Sequence, residues 1–210
     1  MKSYLDFMIV ISPPAAVKAL IDAHKQDAAQ LIGAYESQHS IAHISITNLP
    51  RQKPFMIAHT LEMLENKLKL MPPVNLTIDG FDHFNHGEAF RTIYARIRSA
   101  PETTAWFKEL KKILNVKEYL VPHITIARNI PVDDFNKLWP HFKPLKWVED
   151  FGVDRLTLLN REAFASFAHW EIYNEIPFEG KHLIREAPPK QSLLKPLTGN
   201  YLATQQTSLF

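Results

Sequence analysis

The chain of 210 residues has no cysteine. That excludes disulfide staples, thiolate nucleophiles and cysteine-ligated zinc, and it fits a reducing compartment. It also lacks an excess of charge of either sign. Lys and Arg total 24 against 22 Asp and Glu, a formal net charge of +2, so the chain as a whole is no electrostatic nucleic-acid binder. A balanced total can still contain a basic cleft. Long apolar runs are missing too. Phe7-Met8-Ile9-Val10-Ile11 falls far short of the roughly 20 residues that span a bilayer. Asp6 abuts it, and Pro13 and Pro14 end it as they end a strand. No targeting segment is read, and the expected location is the cytoplasm, away from membranes. What is present, 46% hydrophobic and 22% charged residues, describes an ordinary globular domain.

Periodicity orders the chain. A strand at Phe7–Ile11 precedes a helix over Ala15–Ile32, with Val17, Leu20, Ile21, Ala28 and Leu31 at helical spacing and Gly33 as the stop. A helix over Phe55–Leu70 follows. Strands at Val74–Phe84 and Arg91–Ile97 alternate polar with apolar residues and pair as a hairpin around Asn85-His86-Gly87. A helix over Glu102–Leu114 and a shorter one over Val132–Phe142 come next, the latter opening on Asp133-Asp134, favourable against the helix dipole. Strands near Val153–Asn160 and Ala168–Pro177 close the pattern. Strand, helix, phrase, helix, strand therefore occurs twice, and the fold class is α+β with a duplicated architecture. Residues 1–180 are expected to form one two-lobed domain, with lobes near 1–90 and 91–180 that can exchange strands. Residues 181–210 have no sustained period and form a C-terminal tail.

The middle element of each half carries one phrase. It reads Ile41-Ala-His-Ile-Ser-Ile46 in the first half and Val121-Pro-His-Ile-Thr-Ile126 in the second. On a strand, alternate side chains share a face. His43 and Ser45 thus stand together opposite Ile44 and Ile46, and His123 and Thr125 opposite Ile124 and Ile126. If the halves are related by a pseudo-twofold, two imidazoles and two hydroxyls meet across a cleft. Two imidazoles can act as base and acid near neutral pH. That suits transfer at phosphorus, where one oxygen loses a proton as another gains one, with the hydroxyls holding non-bridging oxygens.

The pair His43-Ile-Ser-Ile46 and His123-Ile-Thr-Ile126 resembles the twin H-x-T/S-x motifs of the two-histidine phosphoesterase superfamily. Its members include 2'-5' RNA ligases and 2',3'-cyclic-nucleotide phosphodiesterases. The resemblance spans about residues 4 to 178 in element order. It implies a bilobal fold of two antiparallel sheets flanking a metal-free central cleft, with helices outside. It also implies His43 and His123 as catalytic acid and base, and Ser45 and Thr125 as phosphate holders. The first motif has serine where threonine is commoner, which keeps the hydroxyl but frees χ1. The implied reaction opens a 2',3'-cyclic phosphate on an RNA end or a small cyclic nucleotide, without metal or other cofactor. The alternatives are 2'-5' RNA ligase activity, or a weakly catalytic module that binds RNA ends or nucleotides. A monomer is expected.

Thr47 and Arg128 are further candidates for holding substrate. Thr47 has the parity of the polar face. Arg128 has the opposite parity, so a bulge near Asn129 must redirect it. His39 reads as a rim residue, and Asp82–His86 as an exposed polar turn rather than a metal site. The tryptophans read as core, and Lys108, Lys111 and Lys112 as a solvated helix face.

Overall fold

A computed structural model describes residues 4–165 and 169–180. The elements are β1 (Leu5–Ile11), α1 (Ala15–Ile32), β2 (Ile44–Gln52), α2 (Pro54–Leu70), β3 (Val74–His86) and β4 (Phe90–Ile97). Then follow α3 (Pro101–Ile113), β5 (His123–Pro131), α4 (Val132–Phe142), β6 (Val148–Val153), β7 (Arg155–Glu162) and β8 (Glu171–Pro177). Local sequence explains the boundaries. Prolines open α2 and α3 in the first turn, where a missing N–H costs nothing. Gly33, at φ 81°, closes α1 with its N–H on the Ala29 carbonyl, a left-handed conformation that side-chain-bearing residues resist.

Two four-stranded sheets result, in the orders β2-β1-β7-β8 and β5-β4-β3-β6, and every pairing is antiparallel. The sheets cut across the sequence repeat. β3 belongs to the first half but pairs with β4 and β6, while β7 and β8 return to β1. One apolar cluster joins both sheets to the helices, with Phe7, Ile9 and Ile44 from one sheet and Ile78, Ile93 and Ile124 from the other. Burying a side chain of this size contributes roughly 1.5–3 kcal/mol. Among the described residues no helix is long and apolar enough to cross a membrane.

Two segments differ from the sequence reading. The stretch read as one strand over Val153–Asn160 belongs to two, β6 and β7, which lie in different sheets with the break at Asp154. Continuous β-type composition conceals such a crossing. The stretch Asp82–His86 is not a turn but the end of β3, paired with Tyr94 back to Phe90. Cross-strand hydrogen bonds override its polar composition, and the turn falls at Gly87, where φ is 62°. Trp106 is buried, as expected, with its indole N–H donating to the Pro72 carbonyl at 2.8 Å. The tail 181–210 lies outside the described residues.

Candidate active site

Both phrases sit on edge strands and share an irregularity. Opposite β1, Thr47 pairs with Ile9 and Ser45 with Val10, which leaves Ile46 as an extra residue. Opposite β4, Ala127 pairs with Ile93 and Thr125 with Tyr94, which leaves Ile126 extra. The bulge therefore falls on the same residue of each phrase, directly after the hydroxyl. Bulges re-aim side chains and cluster beside active sites. Ile44, Ile46, Ile124 and Ile126 are buried in the core, while His43, Ser45, His123 and Thr125 are half-buried on the opposite side. β2 and β5 are in contact, and the charge of His123 acts on His43.

The two imidazoles are held alike. Nδ1 of His43 lies 2.7 Å from the Ile41 carbonyl, and Nδ1 of His123 lies 2.7 Å from the Val121 carbonyl. A carbonyl only accepts, so each Nδ1 carries a proton and donates it. In the neutral ring Nε2 is then the free lone pair, and in the cation it is the proton to give away. Burial is the largest influence on both rings and holds each below the ordinary histidine value of 6.5, while the carbonyl contact works the other way. His43 is lowered further by the positive charges of Lys25 and Arg128 and by His123.

Lys25 was not foreseen from sequence. It is 1% exposed, in the middle of the buried α1 stripe of Val17, Ile21 and Ala28. Its ammonium donates to the Ser40 carbonyl and, at 2.9 Å, to the Ser40 hydroxyl. Burial pushes the lysine pKa down, Asp22 opposes that, and Arg128 adds to it. The Ser40 hydroxyl donates to the Ser37 carbonyl at 2.8 Å. Ser37, also 1% exposed, accepts the Arg128 backbone N–H at 2.8 Å. The Tyr35 hydroxyl lies 3.2 Å from the Lys25 carbonyl and 3.1 Å from the Ile126 carbonyl. This chain of polar groups ties the loop before His43 to the strand carrying His123. The available signal was a lysine interrupting an apolar helical stripe.

A second unforeseen feature is an aromatic wall. Phe84 and Tyr94 stack with centroids 4.2 Å apart, and the His123 ring lies 5.0 Å from each. Tyr94 is 4% exposed, and burial, the main cause, pushes its phenol up to about 12. These aromatics, rather than the tryptophans, border the imidazole. Phe84 closes the strand read over Val74–Phe84, and nothing local in the sequence links it to His123.

The remaining candidates are placed unevenly. β5 has the bulge that Arg128 requires: Ile130 pairs with Arg91 and Ala127 with Ile93, and Asn129 is left-handed at φ 53°. The Arg128 guanidinium lies 3.6 Å from Glu36, and both side chains are largely exposed. Its charge nevertheless reaches His43. Thr47 is half-buried past the β2 bulge, and no hydrogen bond or ring contact among the described residues joins it to either imidazole. The Ser45 hydroxyl rests 3.9 Å from the Met8 sulfur, a weak partner that a phosphate oxygen can displace. His39 lies in the turn before β2, away from the ladder.

A family model described as the 2'-5' RNA ligase superfamily matches residues 13–163, a span that includes both phrases. Comparison with curated protein sequences finds no match. Among solved structures, TT0787 of Thermus thermophilus superposes with a TM-score of 0.62 at 15% identity, over 84% of this chain and 100% of its own. LigT of E. coli complexed with 3'-AMP gives 0.57 at 13% identity, over 84% and 98%. LigT complexed with phosphate gives 0.56 at 13%, over 84% and 98%. At these identities the structural likeness concerns the fold.

Proposed function

Because the chain belongs to the 2'-5' RNA ligase superfamily, we propose that it opens 2',3'-cyclic phosphates on RNA ends or nucleotides, with His43 and His123 as base and acid. The observation that carries this reading is the matched pair of Nδ1-to-carbonyl contacts at 2.7 Å. They fix both tautomers so that each Nε2 is the working nitrogen. In hydrolysis, Nε2 of one neutral imidazole takes a proton from water as the water oxygen bonds to phosphorus. The bond from phosphorus to one ribose oxygen breaks, and Nε2–H of the other imidazolium protonates that oxygen. A phosphomonoester leaves with the two imidazoles in exchanged protonation states, and loss of the base's proton to solvent and uptake of one by the acid reset them.

His43 is the base. Lys25, Arg128 and His123 all oppose its protonation, whereas burial alone lowers His123. On this difference in surroundings we assign the base to His43 and the acid to His123. The Ser45 and Thr125 hydroxyls donate to the non-bridging phosphate oxygens, which gain charge in the transition state. Arg128, paired with Glu36 at 3.6 Å, adds positive charge that reaches His43 and favours the same phosphate, and Thr47, past the β2 bulge, is a further substrate contact. Phe84 and Tyr94 pin the His123 ring in its donating orientation.

Ligation uses the same groups in the same roles, and the family name favours it as the second reading. An RNA 5'-hydroxyl replaces water as nucleophile and gives its proton to the base, the bond from phosphorus to the ribose 3'-oxygen breaks, and the acid protonates that oxygen, leaving a 2'-5' linkage. The test is turnover of a 2',3'-cyclic nucleotide in EDTA, with products resolved by phosphorus NMR. A phosphomonoester formed in EDTA supports hydrolysis. A new phosphodiester formed from an RNA 5'-hydroxyl identifies ligation. Undiminished turnover by the His43→Ala, His123→Ala double variant rejects both.

A further inference from the structure

Beside the β5 phrase lies a groove of about 850 Å³ whose lining includes neither His43 nor His123. It begins at Tyr94 and Pro122, the one 5.0 Å from the His123 ring and the other next to it in sequence, and runs along α3. Five cations line it, Arg96, Arg98, Lys108, Lys111 and Lys112, against the carboxylates of Asp79 and Asp82. Asp79 is already shared by both guanidinium groups, at 3.5 Å and 3.4 Å. Lys112 reaches Glu109 at 3.5 Å, but Lys108 and Lys111 make no ion pair among the described residues. In a chain whose net charge is only +2, this concentration is local. The groove also offers apolar and aromatic surface. Phe107 and Ile97 are buried in its floor, and Tyr119, 91% exposed, stands at its edge.

A cyclic mononucleotide needs none of this, because its one phosphate is held at the histidines. Clustered cations beside the exposed ring of Tyr119 suit a ligand that carries several phosphates and bases. We infer that the α3 groove binds the single-stranded RNA leading up to the cyclic phosphate, an inference that rests on the reaction proposed above. The protein is then a processor of oligonucleotide ends, with Lys108 and Lys111 on backbone phosphates and Tyr119 under a base.

The experiment compares a 2',3'-cyclic mononucleotide with an oligoribonucleotide bearing the same end, in wild type and in the double variant Lys108→Ala, Lys111→Ala. Lys108 is exposed and Lys111 half-buried on α3, and an unchanged melting temperature controls for folding. The wild type should prefer the oligonucleotide. The variant should lose about tenfold in kcat/KM on it, with mononucleotide turnover unchanged. For two lysine–phosphate contacts, the slope of log affinity against log salt should become shallower by about 1.4. Tyr119→Ala should likewise cost about tenfold on the oligonucleotide alone. Binding is measured separately, by fluorescence anisotropy of a labelled single-stranded RNA ending in a 3'-phosphate. Intact turnover with RNA binding unaffected by the variant overturns the groove and leaves the reaction standing. Absent turnover with binding that the variant still weakens overturns the reaction and leaves the groove. Equal binding of polyglutamate and RNA, weakened alike in the variant, also overturns the groove, since bare charge then suffices.

Discussion

The two halves of the molecule present the same phrase in different electrostatic settings, and their differences are more informative than their similarity. The tautomer-fixing carbonyl, the bulge after the hydroxyl and the buried isoleucines are common to both strands. Around His43 there are Lys25 from α1, Arg128 from β5 and the partner imidazole, all positive or capable of becoming so. Around His123 there are the stacked rings of Phe84 and Tyr94. A symmetric pair of imidazoles has no reason to divide acid from base. The asymmetry of their neighbours supplies one.

The most severe way to break the comparison is to delete either ring. His43→Ala and His123→Ala should each lower kcat by about a hundredfold to ten-thousandfold. The pH–rate profile should separate them, with the ascending limb lost in the first and the descending limb lost in the second. Identical profiles would erase the division of roles. Next in size are the hydroxyls. Thr125→Ala or Ser45→Ala should cost about a hundredfold in kcat with the melting temperature unchanged, and a rise in KM alone would assign them to ground-state binding.

Removing the tie between the halves should act on stability. Ser37→Ala leaves the Arg128 N–H without its acceptor, at about 1–3 kcal/mol. Urea unfolding should register that loss, and an unchanged midpoint would show that the tie is dispensable. Lys25→Met removes one positive charge beside His43, so the ascending limb should move to higher pH while the descending limb stays put. Movement of both limbs together would mean that Lys25 does not distinguish the two rings. The smallest effect expected is that of Ser45→Thr, about twofold in kcat, because only χ1 freedom changes.

Stability should follow pH in a defined direction. Both histidines are lowered in the fold from 6.5, so below that value the unfolded chain binds protons that the folded chain refuses. Stability conferred by the neutral rings is complete above about 6.5 and declines as pH falls beneath it. The double alanine variant should show a flatter decline over the same window in thermal melts.

Much of the fold could be read from the chain because its signals are local. Helical stripes, the Gly33 stop and the alternation in β3 and β4 need only neighbouring residues to be recognised. The twin phrase was legible for the same reason, its four polar side chains being named by alternation alone. What stayed hidden depends on pairing between distant strands. The Tyr35 and Ser37 contacts to β5 each join residues 91 apart in sequence. Phe84 meets His123 only because β3, β4 and β5 are neighbours in one sheet. The break at Asp154 between β6 and β7 was hidden likewise, since strand composition does not reveal a change of sheet.

The account depends on two Nε2 atoms serving one phosphate. A crystal structure with a nucleoside 3'-phosphate bound tests this most directly. The account predicts phosphate oxygens within about 3 Å of Nε2 on both His43 and His123, with the Ser45 and Thr125 hydroxyls on the same group. A phosphate bound elsewhere, or reached by one imidazole while the other turns away, would contradict it.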